Sequence, residues 1–231
     1  MMSSGPGSRP IRGVLFDFGY TLFAHATLAA TIGELAGQLG ADLPTEQAVA
    51  LAGRIDAAAM DPAELLHPRD YDSTVWAERW RLLYSAADEV VLGLGDALFT
   101  SMHDPLAWVP YRDAAAVLSE LHSHSVAIGI VSNTGWDVRT VFAAHGLSTM
   151  VTSFTLSYEV GVVKPDRRIF VTACEAIAVE PEDVLMVGDD PRSDGGSVDA
   201  GIRALLLPPR QQGSDNGLRS VLDLVVGDAG R

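Results

Sequence analysis

From Pro110 onward the chain alternates short β-branched apolar runs with stretches of helical periodicity, and this alternation leaves it few folds to adopt. The pattern reads as a helix over Asp113 to His122, a strand over Val126 to Ser132, a helix over Trp136 to His145, a short strand over Phe154 to Ser157 and a helix over Arg167 to Ala178. A strand over Val184 to Val187, a short helix at Ser197 to Ala200, a strand over Ala204 to Leu207, a Gln/Gly/Ser/Asp linker and a last helix from Leu218 follow. An earlier apolar run, Ile11 to Phe18, supplies the first strand. Strands joined by helices run parallel and are covered on both faces, so the expected core is α/β, a Rossmann-like doubly wound sheet. Residues 24–104 break the alternation. There alanine and leucine recur at helical spacing, interrupted at Gly40 to Pro44, Asp61-Pro62 and His67-Pro68, with no convincing strand. The expected organisation is a disordered leader at 1–10, a core from 11–23 and 105–231, and an all-helical insertion at 24–104.

Composition narrows the partners. A formal charge of −14 over 231 residues repels the phosphate backbone, so nucleic acid is not expected as a partner. No apolar run approaches the roughly 18 residues a membrane span needs, and MMSSGPGSRP lacks a signal peptide's apolar stretch, so no membrane is expected and the location is read as cytoplasmic. The single cysteine, Cys174, reads as a buried small hydrophobe. Of 16 basic residues only Lys164 is a lysine. In a chain that otherwise uses arginine, one compact ammonium on a flexible stem suggests a point charge with a specific task.

In an open parallel sheet, ligands bind outside the carboxyl ends of the strands. Those ends are polar in a consistent way: Asp17 after the first strand, Ser132-Asn133-Thr134 after the second, Lys164-Pro165 beyond the third, and Gly188-Asp189-Asp190 after the fourth. Three acids, a hydroxyl and the only lysine are thereby directed to one crevice, an arrangement suited to a nucleophile, an oxyanion clamp and a cation site. Four segments then resemble, in order, the motifs of the haloacid dehalogenase superfamily of hydrolases and phosphotransferases. They are Asp17-Phe18-Gly19-Tyr20-Thr21-Leu22, Val131-Ser132-Asn133, Lys164-Pro165-Asp166, and Gly188-Asp189-Asp190 with Asp194. The helical insertion resembles that family's cap domain. The resemblance implies Asp17 as a nucleophile forming an aspartyl-phosphate, Ser132 and Asn133 on the phosphoryl group, and Lys164 steadying both. It also implies a magnesium site on Asp17, Gly19, Asp189 and Asp194, with Asp190 an alternative to Asp194, and a small phosphorylated metabolite as substrate.

One position departs from the family pattern. Two residues after the nucleophile, related phosphatases carry a second Asp that protonates the leaving group; here it is Gly19. Positioned acid–base help is worth about 10²- to 10⁴-fold, so turnover on alkyl phosphates is expected to be weak unless another group, such as His25, supplies the proton. Two alternatives stay open: a 2-haloacid dehalogenase, which also lacks that acid, and a weakly catalytic phosphate- or metabolite-binding protein. Phosphonate cleavage through a lysine Schiff base is excluded, because the insertion has no lysine. Within the insertion, Trp76, Trp80 and Tyr84 share one helical face and read as packing, while Arg69 and Arg79 are candidates to read an anionic substrate. Trp136 is a candidate to line the entrance.

Overall fold

A computed structural model describes residues 9–227, so residues 1–8 of the expected leader lie outside it. The strands of the core are β1 (Gly13–Phe16), β4 (Ala127–Ser132), β5 (Ser153–Leu156), β6 (Val184–Gly188) and β7 (Arg203–Leu206). They form one parallel sheet in the order β5-β4-β1-β6-β7, with Phe16 opposite both Ile130 and Val187. The nucleophile strand is thus central, and the chain winds outward from it in both directions, the doubly wound topology expected.

Period-two alternation divides the core into two layers. Val14 and Phe16 pack on one face against α6 (Ala114–Ser123), α7 (Arg139–Ala144) and α10 (Arg219–Val225). Leu15, Val131 and Met186 pack on the other against α9 (Arg167–Ala176), through Ile169, Phe170, Ala173 and Cys174. Cys174 is buried as expected, and burial pushes its thiol up to about 11, which leaves it inert.

The insertion is helical throughout: α1 (Leu28–Gln38), α2 (Thr45–Ala59), α3 (Pro62–Leu65), α4 (Ser73–Tyr84) and α5 (Leu94–Met102). Local chemistry sets its helix starts. The Thr27 hydroxyl accepts from Ala30 N–H, Asp61 caps α3 with Pro62 in its first turn, and Asp72 accepts from the Thr74 and Val75 amides. Ile32, Leu51, Ile55, Trp76, Leu94 and Leu98 give it a core of its own. Where the chain leaves the α/β core and returns, β2 (Phe23–Ala24) and β3 (Val109–Pro110) pair antiparallel and tie the two crossings together.

Three local expectations shift. Helix α7 starts at Arg139 rather than Trp136, because Thr134 Oγ1 accepts from the Trp136 amide and holds a turn there. A short helix, α8 (Ser157–Val160), follows β5 where only a strand end was read. The expected linker before α10 is not loose: Asn216 is buried, and the buried Asp113 carboxylate accepts from the Asn216 and Leu218 amides at 3.0 and 2.8 Å.

Candidate active site

Each strand end delivers one polar group to the carboxyl edge of the sheet. Asp17 follows β1, and its amide still pairs with the Val187 carbonyl at 2.9 Å, so the carboxylate leaves the sheet from a fixed backbone. Ser132 ends β4, Asp189 follows β6, and Lys164 lies on the segment leading into α9. Lys164 is buried, with its Nζ donating to Asp17 Oδ1 at 2.7 Å and to Asp194 Oδ1 at 2.6 Å. Asn133 does not point at open space: its Oδ1 accepts from the Lys164 amide at 2.8 Å and its Nδ2 donates to the Lys164 carbonyl at 3.0 Å. That two-point clamp makes Asn133 a positioning residue for the lysine.

Asp194 is the fully buried hub of the cluster. Its Oδ1 accepts from Lys164, and its Oδ2 accepts from both the Asp189 and Asp190 amides at 3.0 Å. Gly188 permits this approach, since a Cβ there would lie 2.2 Å from Asp194 Cγ. Asp189 is held more lightly, by a 3.3 Å hydrogen bond from the Thr21 hydroxyl. The turn that carries Thr21 is braced from the far end of the chain, where Asn216 Nδ2 donates to the Tyr20 and Thr21 carbonyls. Within that turn Tyr20 adopts a left-handed backbone at φ 57°.

The electrostatics follow from the head count. Carboxylate oxygens of Asp17, Asp189 and Asp194 lie within 4.8 Å of one another, with one ammonium among them. Burial would lower the Lys164 ammonium, but Asp17 and Asp194 more than reverse that, and its pKa rises. Burial raises the Asp17 carboxyl, with Lys164 pulling the other way and Asp194 adding to the rise. Asp189 is pushed up to about 7 by burial and then by the Asp17 and Asp194 charges. Three carboxylates on one lysine leave an excess of negative charge on oxygen donors, the donor chemistry that suits a hard divalent cation. Asp17, Asp189 and Asp194 together could hold such an ion, and of the three Asp194 has both oxygens already accepting hydrogen bonds.

Above this floor lies a cavity of about 500 Å³, lined by Asp17, Ser132, Asn133, Lys164 and Asp189 from the core and by residues of the insertion. Gly19 lines it too, and a Cβ at Gly19 would meet only Trp108, at 3.6 and 3.8 Å, so the tryptophan fills the flank the absent side chain vacates. Arg69 reaches the cavity, with its guanidinium 5.1 Å from the Trp80 ring centroid. Arg79 does not line it. Arg79 Nε donates to Glu64 Oε1 at 3.1 Å and Nη2 donates to Glu64 Oε2, so its role is within the insertion. His25 lines the wall with Nδ1 against the Ala26 carbonyl. Trp76, Trp80 and Tyr84 pack in the insertion core and line the cavity at once. Sequence reasoning missed Asp70, Trp108, Asn216 and Ser157. The Ser157 hydroxyl accepts from Thr134 N–H and donates to the Asp70 carbonyl at 2.6 Å, bridging core and insertion. All four act across large sequence separations, and only Trp108, as one of four tryptophans, carried a compositional signal.

Comparison with known proteins agrees with this geometry. The family model for haloacid dehalogenase-like hydrolases matches residues 11–197. Phosphoserine phosphatase of Thermus thermophilus is 36% identical over 125 residues, covering 51% of this chain and 47% of that protein, so the match spans about half the relative's length. Glyceraldehyde 3-phosphate phosphatase of Methanopyrus kandleri is 27% identical over 188 residues, covering 78% and 76%. The solved L-2-haloacid dehalogenase of Xanthobacter autotrophicus shares the fold at a TM-score of 0.63 and 19% identity, covering 94% of this chain and 83% of that one. With the family model spanning all four strand-end motifs, the chain belongs to the haloacid dehalogenase-like hydrolases.

Proposed function

We propose that the protein is a magnesium-dependent phosphatase acting on a small phosphorylated metabolite through an aspartyl-phosphate on Asp17. The observation that carries this reading is the under-neutralised cluster, in which three carboxylates gather around one buried ammonium that bonds only two of them, and Asp189 is pushed up to about 7. An anionic phosphate ester would be repelled from such a floor unless a cation were shared between them. A bound magnesium would supply that charge, screening Asp17 and Asp189 and polarising the phosphoryl oxygens.

The residues of the chain do the rest. Lys164 grips one oxygen of Asp17, opposing the rise that burial gives its carboxyl and holding it aimed. The second oxygen attacks phosphorus, and the bond from phosphorus to the leaving oxygen breaks with its electron pair going to that oxygen. Ser132, buried at the end of β4, lines the cavity beside Asp17 and is placed to donate to the phosphoryl group. Water then attacks the aspartyl-phosphate and releases inorganic phosphate. The insertion covers the floor, which favours attack by a bound water over side reactions.

The test pairs activity with binding. Asp17→Asn is expected to abolish turnover of phosphate esters while leaving the fold intact, and calorimetry is expected to show magnesium binding to wild type that Asp189→Asn loses. Turnover above a few per cent in Asp17→Asn removes it as nucleophile. Turnover of 2-haloacids without magnesium, in place of phosphate esters, replaces this reading with the dehalogenase one, and metabolite binding without turnover replaces it with the binding-protein one.

A further inference from the structure

All four tryptophans of the chain, Trp76, Trp80, Trp108 and Trp136, line one cavity, the one above Asp17. They arrive from unrelated places: two from α4 in the insertion, one beside β3, one after β4. Their rings form a connected belt. Trp76 and Trp80 lie 6.2 Å apart between centroids, Trp108 and Trp136 6.4 Å, and His103 joins the two pairs at 5.1 Å from Trp76 and 5.5 Å from Trp136. Indole is costly to spend on a cavity wall when leucine would exclude water as well; its distinctive contribution is a flat face that stacks on another ring.

The second observation is Gly19. With glycine two residues after the nucleophile, no side chain at that position protonates the leaving oxygen, which favours a leaving group stable as an anion. Trp108 packs 3.6 Å from where a residue-19 side chain would begin, which puts an indole edge at the flank of that leaving group. A phenolic oxygen attached to a flat ring meets both conditions together. An organic cation is the other guest that aromatic walls accept, but the Trp80 face is already taken by a cation of the chain itself, the Arg69 guanidinium, 5.1 Å from the ring centroid.

Building on the phosphatase reading above, we propose that the substrate is an aryl phosphate, a phosphate monoester of a flat aromatic hydroxyl compound, with its ring held in the tryptophan belt and its phosphoryl group at Asp17 and Lys164. In turnover the bond from Asp17 oxygen to phosphorus forms, the bond from phosphorus to the aryl oxygen breaks, and the aryloxide takes a proton from water after departure. Hydrolysis of the aspartyl-phosphate by a second water returns the carboxylate.

The experiment measures kcat/KM in magnesium for 2-naphthyl phosphate, acetyl phosphate, glycerol 3-phosphate and phosphocholine. Acetyl phosphate has a good leaving group and no ring, so it separates leaving-group stability from recognition. The expected order is 2-naphthyl phosphate over acetyl phosphate by about tenfold or more, from ring stacking, and both over glycerol 3-phosphate by about hundredfold, from leaving-group stability. Trp108→Ala is expected to erase the preference for the naphthyl over the acetyl ester, and 2-naphthyl phosphate is expected to quench tryptophan fluorescence saturably in Asp17→Asn. Turnover of acetyl phosphate without a preference for the naphthyl ester overturns the aryl assignment and leaves the phosphatase reading standing. A preference for phosphocholine overturns it in favour of a cation cage. Failure of all four esters overturns the phosphatase reading and this assignment with it.

Discussion

Two ion clusters, one in the core and one in the insertion, have opposite arithmetic. In the core, Lys164 serves Asp17 and Asp194, with Asp189 close by. In the insertion, Glu64 serves Arg79 and Arg69. The insertion cluster is a closed structural unit: the Arg79 guanidinium meets the carboxylate in a two-point fork, and Arg69 also donates to the Ala59 carbonyl at 3.2 Å. The core cluster is left short of positive charge, and Asp17 and Asp189 rise in pKa while Glu64 falls. The insertion cluster keeps one positive charge over, with both guanidiniums tied to oxygens of the insertion; the core cluster keeps carboxylate charge over at the floor of the cavity, where a cation can bind.

The sharpest way to break that contrast is Lys164→Met. It strands Asp17 and Asp194 without a counter-ion, and leaving a buried charge unpaired typically costs about 3–5 kcal/mol. Urea unfolding is expected to show the midpoint falling with little change in slope, together with loss of turnover. Arg79→Met is expected to cost much less, because Arg69 remains beside Glu64 at 3.7 Å. Equal losses in the two variants would show that the core cluster is no more strained than the other.

The same contrast explains what could be read from the sequence. The floor was legible, because parallel strands buried on both faces are uninterrupted apolar runs and a polar residue ending each run stands out, as at Asp17, Ser132 and Asp189. Lys164 stood out by being the only lysine. The walls were not legible in the same way. The i, i+4, i+8 spacing put Trp76, Trp80 and Tyr84 on one face, but periodicity does not distinguish a face that packs from a face that packs and lines a cavity. Arg69 and Arg79 are alike in sequence and both lie beside Glu64, and only the folded structure separates them, Arg79 in a fork on that carboxylate and Arg69 reaching the cavity. Pairings such as β2 with β3 or Asn216 with the Tyr20 turn join residues far apart in the chain, where no local pattern signals them.

A second, smaller effect sharpens the role of the floor by adding to it. Gly19→Asp restores a carboxyl beside the nucleophile, and the backbone admits it, since the new Cβ makes only ordinary contact with Trp108. A well-placed acid is worth about 10²-fold or more, but one set against an indole is expected to raise the alkyl-to-aryl ratio of kcat/KM by only about tenfold. Wild type already hydrolysing an alkyl phosphate as fast as an aryl one would show that another group lining the cavity, such as His25 or Asp70, supplies the proton.

The smallest effect probes the closed cluster through pH. Glu64 is lowered below its ordinary value of 4.5 first by its hydrogen bonds from Arg79, with burial opposing and the Arg79 and Arg69 charges adding to the fall. A carboxyl whose folded pKa lies below its unfolded one contributes stability that is fully present above the unfolded value and is lost as pH falls through the folded one. Glu64→Gln removes that contribution, so the variant is expected to be less stable than wild type at neutral pH and to converge with it as pH drops below 4.5. The core carboxylates titrate equally in both proteins and cancel from the difference. Thermal melts of the two proteins across that window measure it, and a difference that stays constant with pH would mean that Glu64 acts through packing and that its pairing with the arginines contributes nothing.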